Sequence, residues 1–238
     1  MNFIFDIDDT LYDQKDVFEG AYREIFGDGD ELPIETLFVR SRVRSDEVFA
    51  MVEAGELPPE KMYAYRVCKA FEDCGAILSE DRAMAFQEAY AKNQAKMQLL
   101  PGIIRILDWL KARGAVMGII TNGPGPHQRR KIETLGLKHW FPEKSFFISG
   151  EMGVAKPDIR AFRMVEERLG IDGGQSVFIG DAYHNDVLGA KNAGWQSIWV
   201  NRRRNPLPED AGAPPDFIIQ DEDELMAVVA HLIHESDS

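Results

Sequence analysis

The sequence predicts an α/β fold: a parallel sheet doubly wound by helices and carrying an all-helical insert. Three observations predict it. Short apolar runs stop abruptly at polar residues, helical periods separate them from about residue 100 onward, and one long early segment contains no strand.

The first run, Phe3-Ile4-Phe5, ends at Asp6 and reads as a buried strand. Similar runs follow at Ala115 to Ile120, Ser145 to Ser149, Ser176 to Ile179, Gln196 to Val200 and Phe217 to Ile219. Between them Ile103, Ile106, Leu107 and Leu110 keep the i, i+3, i+4, i+7 spacing of a helix face, as do Leu225, Val228, Val229 and Leu232. Gly114, Gly136, Gly170 and Gly194 each follow such a stretch, where a left-handed C-cap is expected. Alternating strand and helix implies right-handed crossovers and helices on both faces. The segment from Leu11 to Leu100 is far longer than the dozen or so residues a crossover needs. Phe18, Ala21, Tyr22 and Ile25 form one amphipathic stripe, and three more helical stretches follow. Their breaks fall near Gly27-Asp28-Gly29, Pro58-Pro59 and Gly75. Residues 1–13 and 99–238 are therefore expected to form the α/β core, and 14–98 a helical cap. Asn205 to Pro215, rich in proline, is expected to be a surface loop.

Composition narrows the function. The 238 residues are 45% hydrophobic and 28% charged, which is ordinary globular composition. With 27 Lys+Arg against 40 Asp+Glu, the net charge of −13 argues against a nucleic-acid polymer or an anionic membrane as partner. A small phosphorylated metabolite needs only a local cation. Cys68 and Cys74 are expected to be buried, reduced thiols, and the opening residues show no signal peptide. The expected location is the cytoplasm.

Ligands of an open parallel sheet bind beyond the carboxyl ends of its strands. Asp6, Asp8, Asp9 and Thr10 follow the first run, and Thr121, Asn122 and Gly123 the second. Lys156 stands past the third, and Gly180, Asp181, Asn185 and Asp186 past the fourth. Crowded carboxylates with little His or Cys favour Mg²⁺ over zinc. Such a cation lets an anionic nucleophile approach an anionic phosphate. Asp6 can then attack phosphorus, while Asp8, on the same side of an extended chain, can protonate the leaving alkoxide.

Asp6-Ile7-Asp8-Asp9-Thr10 resembles the D-x-D-x-T signature of the haloacid dehalogenase superfamily. Thr121, Lys156 and Gly180-Asp181 with Asp186 resemble its other three motifs, in order, and the helical insert is similar to the family's first cap type. The resemblance implies a Rossmann-like core and a Mg²⁺-dependent phosphomonoester hydrolase working through an aspartyl-phosphate. It makes Asp6 the nucleophile and a metal ligand, and Asp8 an acid/base that ligates through its backbone carbonyl. Thr121 would bind the transferring phosphoryl oxygens, and Lys156 would neutralise nucleophile and phosphate together; Asn122 is a further phosphate-binding candidate from its strand-end position alone. Asp181 would bind the metal directly, and Asp186 from the first or second layer of ligands. An acidic Asp8 is similar to the family's phosphatases and unlike its dehalogenases. Asp9, where many relatives carry Gly, resembles the nucleotidase-like branches, so a nucleoside 5′-monophosphatase is the alternative. A catalytically idle phospho-ligand or partner-binding protein is the alternative from another class, although it would not need both Asp6 and Asp8.

The remaining polar clusters read as structural. Arg40, Arg42 and Arg44 are expected on a solvated face paired with Asp46 or Glu47. Arg129, Arg130 and Lys131 are expected at the surface of a helix. Arg202 to Arg204 divide between substrate contact and solvation, and His127 and His184 read as loop residues. Trp109, Trp140, Trp195 and Trp199 read as core or core-edge. Tyr12, just past the nucleophile loop, is expected to line an entrance to the site.

Overall fold

A computed structural model describes residues 1–28, 32–209 and 212–236. Gly29, in the first expected break, and residues 210–211 of the expected loop lie outside the described residues. Among the described residues six strands form one parallel sheet: β1 (Asn2–Phe5), β2 (Val116–Thr121), β3 (Phe146–Ile148), β4 (Ser176–Gly180), β5 (Gln196–Val200) and β6 (Phe217–Ile219). Their order is β3-β2-β1-β4-β5-β6. The chain builds outward from β1 to β3, then returns to the other side of β1 with β4. The chain changes direction between β1 and β4, the switch point beyond which ligands of open parallel sheets bind.

The helices are α1 (Gln14–Phe26), α2 (Ile34–Glu53), α3 (Pro59–Asp73), α4 (Glu80–Gln94), α5 (Pro101–Ala112) and α6 (Gly125–Thr134). Then come α7 (Ser149–Met152), α8 (Ile159–Leu169), α9 (Gly189–Asn192) and α10 (Glu222–Ser236). Gly114, Gly136, Gly170 and Gly194 all take positive φ, as their positions after helical periods require.

The chain divides into two compact units, Met1–Asp13 with Gln98–Ser238, and Gln14–Met97. In the first, alternate residues of neighbouring strands pack on one face of the sheet. Ile4, Ile120 and Phe178 meet Phe162 and Val165 of α8 and the ring of Trp195 in one apolar cluster. Phe162 sits edge-on to both Phe178 (5.6 Å) and Trp195 (5.3 Å). The Trp195 indole N–H, which needs a partner once buried, donates to Glu166 at 2.8 Å. Trp199 is equally buried, whereas Trp109 and Trp140 lie half-exposed.

The second unit consists of α1 to α4. Phe18 of α1 packs on Phe86 of α4 (4.9 Å) and Phe38 of α2 (5.6 Å), and Phe26 packs on Phe71 (5.1 Å). Arg44 binds Glu47 and, through two nitrogens, Asp73 of α3. Cys68 and Cys74 are free thiols but only half-buried, a correction to their expected full burial. Among the described residues no helix is long and apolar enough to cross a membrane.

Candidate active site

β1 and β4 run in register, Phe5 opposite Ile179, so their ends deliver Asp6 and, one residue further along, Asp181 to the same edge of the sheet. The Asp6 N–H donates to the Ile179 carbonyl (2.9 Å), continuing the ladder one residue past the strand and fixing the Asp6 main chain. Asp186 reaches the same place from the helical turn Tyr183–Leu188. Its carboxylate lies over the Gly180 Cα, where a Cβ would sit 2.2 Å from Asp186 Oδ2. Only glycine admits that approach. The same Oδ2 accepts from the Ala182 N–H at 2.9 Å. Carboxylate oxygens of Asp6, Asp181 and Asp186 all lie within 4.8 Å of one another.

The Lys156 ammonium bridges two of them, donating to Asp6 Oδ1 at 2.7 Å and Asp186 Oδ1 at 2.6 Å. Asn122 sets the Lys156 backbone. Its amide nitrogen donates to the Lys156 carbonyl and its amide oxygen accepts from the Lys156 N–H, both at 2.9 Å. Asn122 thus stands at the strand end, as expected, but both ends of its side chain are occupied by Lys156. That pairing fixes the Lys156 main chain beside the end of β2. The Thr121 hydroxyl is buried and, among the described residues, has no hydrogen-bond partner; the same holds for Thr10. Buried hydroxyls are seldom left so. The Thr121 hydroxyl can donate to an anion and the Lys156 ammonium can neutralise one.

Electrostatics agree with that picture. Burial is the largest influence on Asp6 and pushes its carboxyl up to about 7, with Asp186 and Asp8 adding to the rise and Lys156 opposing it. Burial alone would pull the Lys156 ammonium down; its contacts with Asp186 and Asp6 outweigh that and leave it raised. Three hard carboxylates converge, two buried and one half-buried, and burial holds Asp6 back from ionising; that set fits a divalent cation with oxygen ligands.

Asp8 is held separately. Lys131 Nζ donates to both its oxygens at 2.6 Å, the Tyr12 hydroxyl to Oδ1 at 2.5 Å, and the Gln128 amide to Oδ2 at 3.3 Å. Lys131 was expected at the helix surface; it is 5% exposed. The expectation fails because α6 turns a mixed stripe inward, Gln128 and Lys131 with apolar Ile132 and Leu135. Tyr12, expected to line an entrance, is fully buried against Asp8.

Neither Arg202 nor Arg203 is merely solvated. Arg202 donates to the carbonyls of Asp9 (2.6 Å) and Thr10 (3.1 Å) and to Glu222 (2.9 Å). Arg203 binds the carboxylates of Asp9 and Asp13. Asp9 has φ +56°, a left-handed conformation that Asp tolerates better than most residues. With Arg203 on its carboxylate, an acidic residue can occupy a turn that glycine would otherwise fill. His127 and His184, expected in loops, lie in α6 and in the Tyr183–Leu188 turn.

Comparison with known proteins places this geometry. The family model of haloacid dehalogenase-like hydrolases matches residues 1–194. A phosphoserine phosphatase of Thermus thermophilus is 30% identical over 92% of this chain and 94% of its own length. A pyrimidine 5′-nucleotidase of Escherichia coli is 35% identical over 53% of this chain and 54% of its own. The HAD-hydrolase YfnB of Bacillus subtilis, solved bound to magnesium, superposes with a TM-score of 0.70 at 23% identity, covering 95% of this chain and 97% of that one. That last likeness speaks to the fold. The chain belongs to the haloacid dehalogenase-like hydrolases.

Proposed function

We propose that this hydrolase is a Mg²⁺-dependent phosphatase that cleaves a small phosphorylated metabolite through an aspartyl-phosphate on Asp6. The observation that carries the reading is the convergence of Asp6, Asp181 and Asp186 within 4.8 Å, with Lys156 on Asp6 and the unsatisfied Thr121 hydroxyl at the neighbouring strand end. Asp6 attacks phosphorus, and the bond to the ester oxygen breaks as Asp8 gives that oxygen a proton. Asp8 then takes a proton from water, which attacks the acyl-phosphate, releases inorganic phosphate and regenerates Asp6. Thr121 donates to the transferring phosphoryl oxygens, and Lys156 balances charge on nucleophile and phosphate. Asp6, the Asp8 carbonyl and Asp181 would hold the cation, with Asp186 ligating it or steadying Lys156. When bound, Mg²⁺ supplies charge neutralisation that lets carboxylate and phosphate meet.

The phosphoserine phosphatase name of a relative aligned over nearly the whole chain supports a small metabolite as substrate. A nucleoside 5′-monophosphate is the second reading, favoured by the nucleotidase match over half the chain. The proposed site of action is the cytoplasm. A screen of phosphorylated metabolites with Mg²⁺, scored by phosphate release, separates the two readings. Phosphate release from none of them, with metal present, would leave the idle-binder reading in place of both.

A further inference from the structure

We propose that Lys131, together with Tyr12 and Gln128, is a positioning residue that sets the Asp8 carboxyl for proton transfer. The proposal rests on the phosphatase reading above and extends it to groups that none of the four sequence motifs contains. Asp8 lies beyond β1 in a turn, and its side chain needs an outside support to stay aimed. Three donors supply it, two from α6 and one from the turn after β1. Lys131 takes both oxygens at 2.6 Å, Tyr12 takes Oδ1 at 2.5 Å, and Gln128 reaches Oδ2 at 3.3 Å. Two of the three supports are themselves buried polar groups on α6, with Gln128 2% and Lys131 5% exposed. A solvated ion pair would hold neither in place.

The Gln128 amide has a defined orientation. Its nitrogen donates to the Asn122 carbonyl at 2.7 Å as well as to Asp8, and its oxygen is buried with no partner among the described residues. Turned over, the amide oxygen would face two oxygens. Gln128 therefore ties Asp8 to the Thr121-Asn122 strand end, whose Asn122 in turn holds Lys156. One chain of contacts joins the proton-transfer group to the phosphate side of the site. In the transfer itself, the Asp8 carboxyl proton passes to the ester oxygen as its bond to phosphorus breaks. A carboxyl aimed wrongly fails at that step and leaves phosphate binding intact.

The test exploits leaving groups. An alkoxide leaves only with a proton, whereas 4-nitrophenolate leaves without one. Lys131→Met should lose roughly 10²-fold in kcat/KM on an alkyl phosphate and less than about 10-fold on 4-nitrophenyl phosphate. Tyr12→Phe, which removes one hydroxyl, should show the same bias at smaller size and stands in if Lys131→Met does not fold. Equal losses on both esters would mean a general electrostatic or structural role, and no loss would mean a bystander; either overturns the proposal. A wild-type protein that hydrolyses neither ester in Mg²⁺ would instead sink the phosphatase reading itself.

Discussion

The sheet carries two buried regions only a few residues apart, and they are built on opposite principles. Beneath the sheet, Ile4, Ile120, Phe162, Phe178 and Trp195 exclude water with apolar surface. At its carboxyl edge, Asp6, Asp186, Lys131 and Lys156 are buried too, and each carries an ionisable group. The same strands supply both: β1 gives Ile4 downward and Asp6 at its end, β4 gives Phe178 and then Asp181. Lys156 marks the border, its ammonium 4.8 Å from the Phe178 ring centroid. Burying a large apolar side chain stabilises by about 1.5–3 kcal/mol. Burying an ion pair gains little net and often costs stability. The lower region therefore holds the fold, and the upper one spends stability on a site.

The largest effect that tests this division is Asp6→Asn. Turnover should fall to background while circular dichroism and cooperative melting persist, because an amide is not a useful nucleophile toward phosphorus. Substantial residual phosphatase activity would remove the covalent mechanism. The opposite substitution is Phe162→Ala. It should cost about 3–5 kcal/mol of stability, measured by urea unfolding, while kcat stays near wild type at a temperature where the protein is folded. A loss of kcat in folded Phe162→Ala protein would show that the two regions are not separable.

A smaller effect concerns pH. In chelated protein the Asp6 carboxyl rises from 3.8 to about 7 on folding. Between those values the folded state holds a proton that the unfolded state has released, so stability should fall as pH rises through that window. Asp6→Asn, which cannot titrate, should flatten this part of the stability–pH curve. Wild-type stability that climbs relative to Asp6→Asn across the window, in metal-free buffer, would contradict the assignment.

Much of this was legible in the sequence, for identifiable reasons. Strands buried on both faces read as unbroken apolar runs, and the strand-end rule then pointed to Asp6, Thr121, Lys156 and Asp181. Lys131 and Gln128 were not legible. Periodicity counts apolar residues, so a helix face that buries a lysine and a glutamine reads as solvent-facing. The role of Arg203 was hidden by distance along the chain, since its partner Asp9 is 194 residues away. Asn122 was located correctly, but its attachment to Lys156 depends on how the loops after β2 and β3 meet. Residue type alone does not encode that meeting.

The central claim is that the carboxylate-rich edge is a metal-dependent phosphatase site and not a dehalogenase site. Dehalogenation directs the nucleophile at a neutral carbon, so it needs no cation and gains nothing from further carboxylates nearby. The direct measurement is phosphate and halide release by one preparation, from a phosphate ester and a 2-haloacid, before and after exhaustive chelation. The account predicts phosphate release that chelation eliminates and Mg²⁺ restores, little or no restoration by Ca²⁺, and no halide under any condition. Asp181→Ala should behave as chelated protein even in excess Mg²⁺. Full phosphatase activity after chelation, or metal-independent halide release, would contradict it.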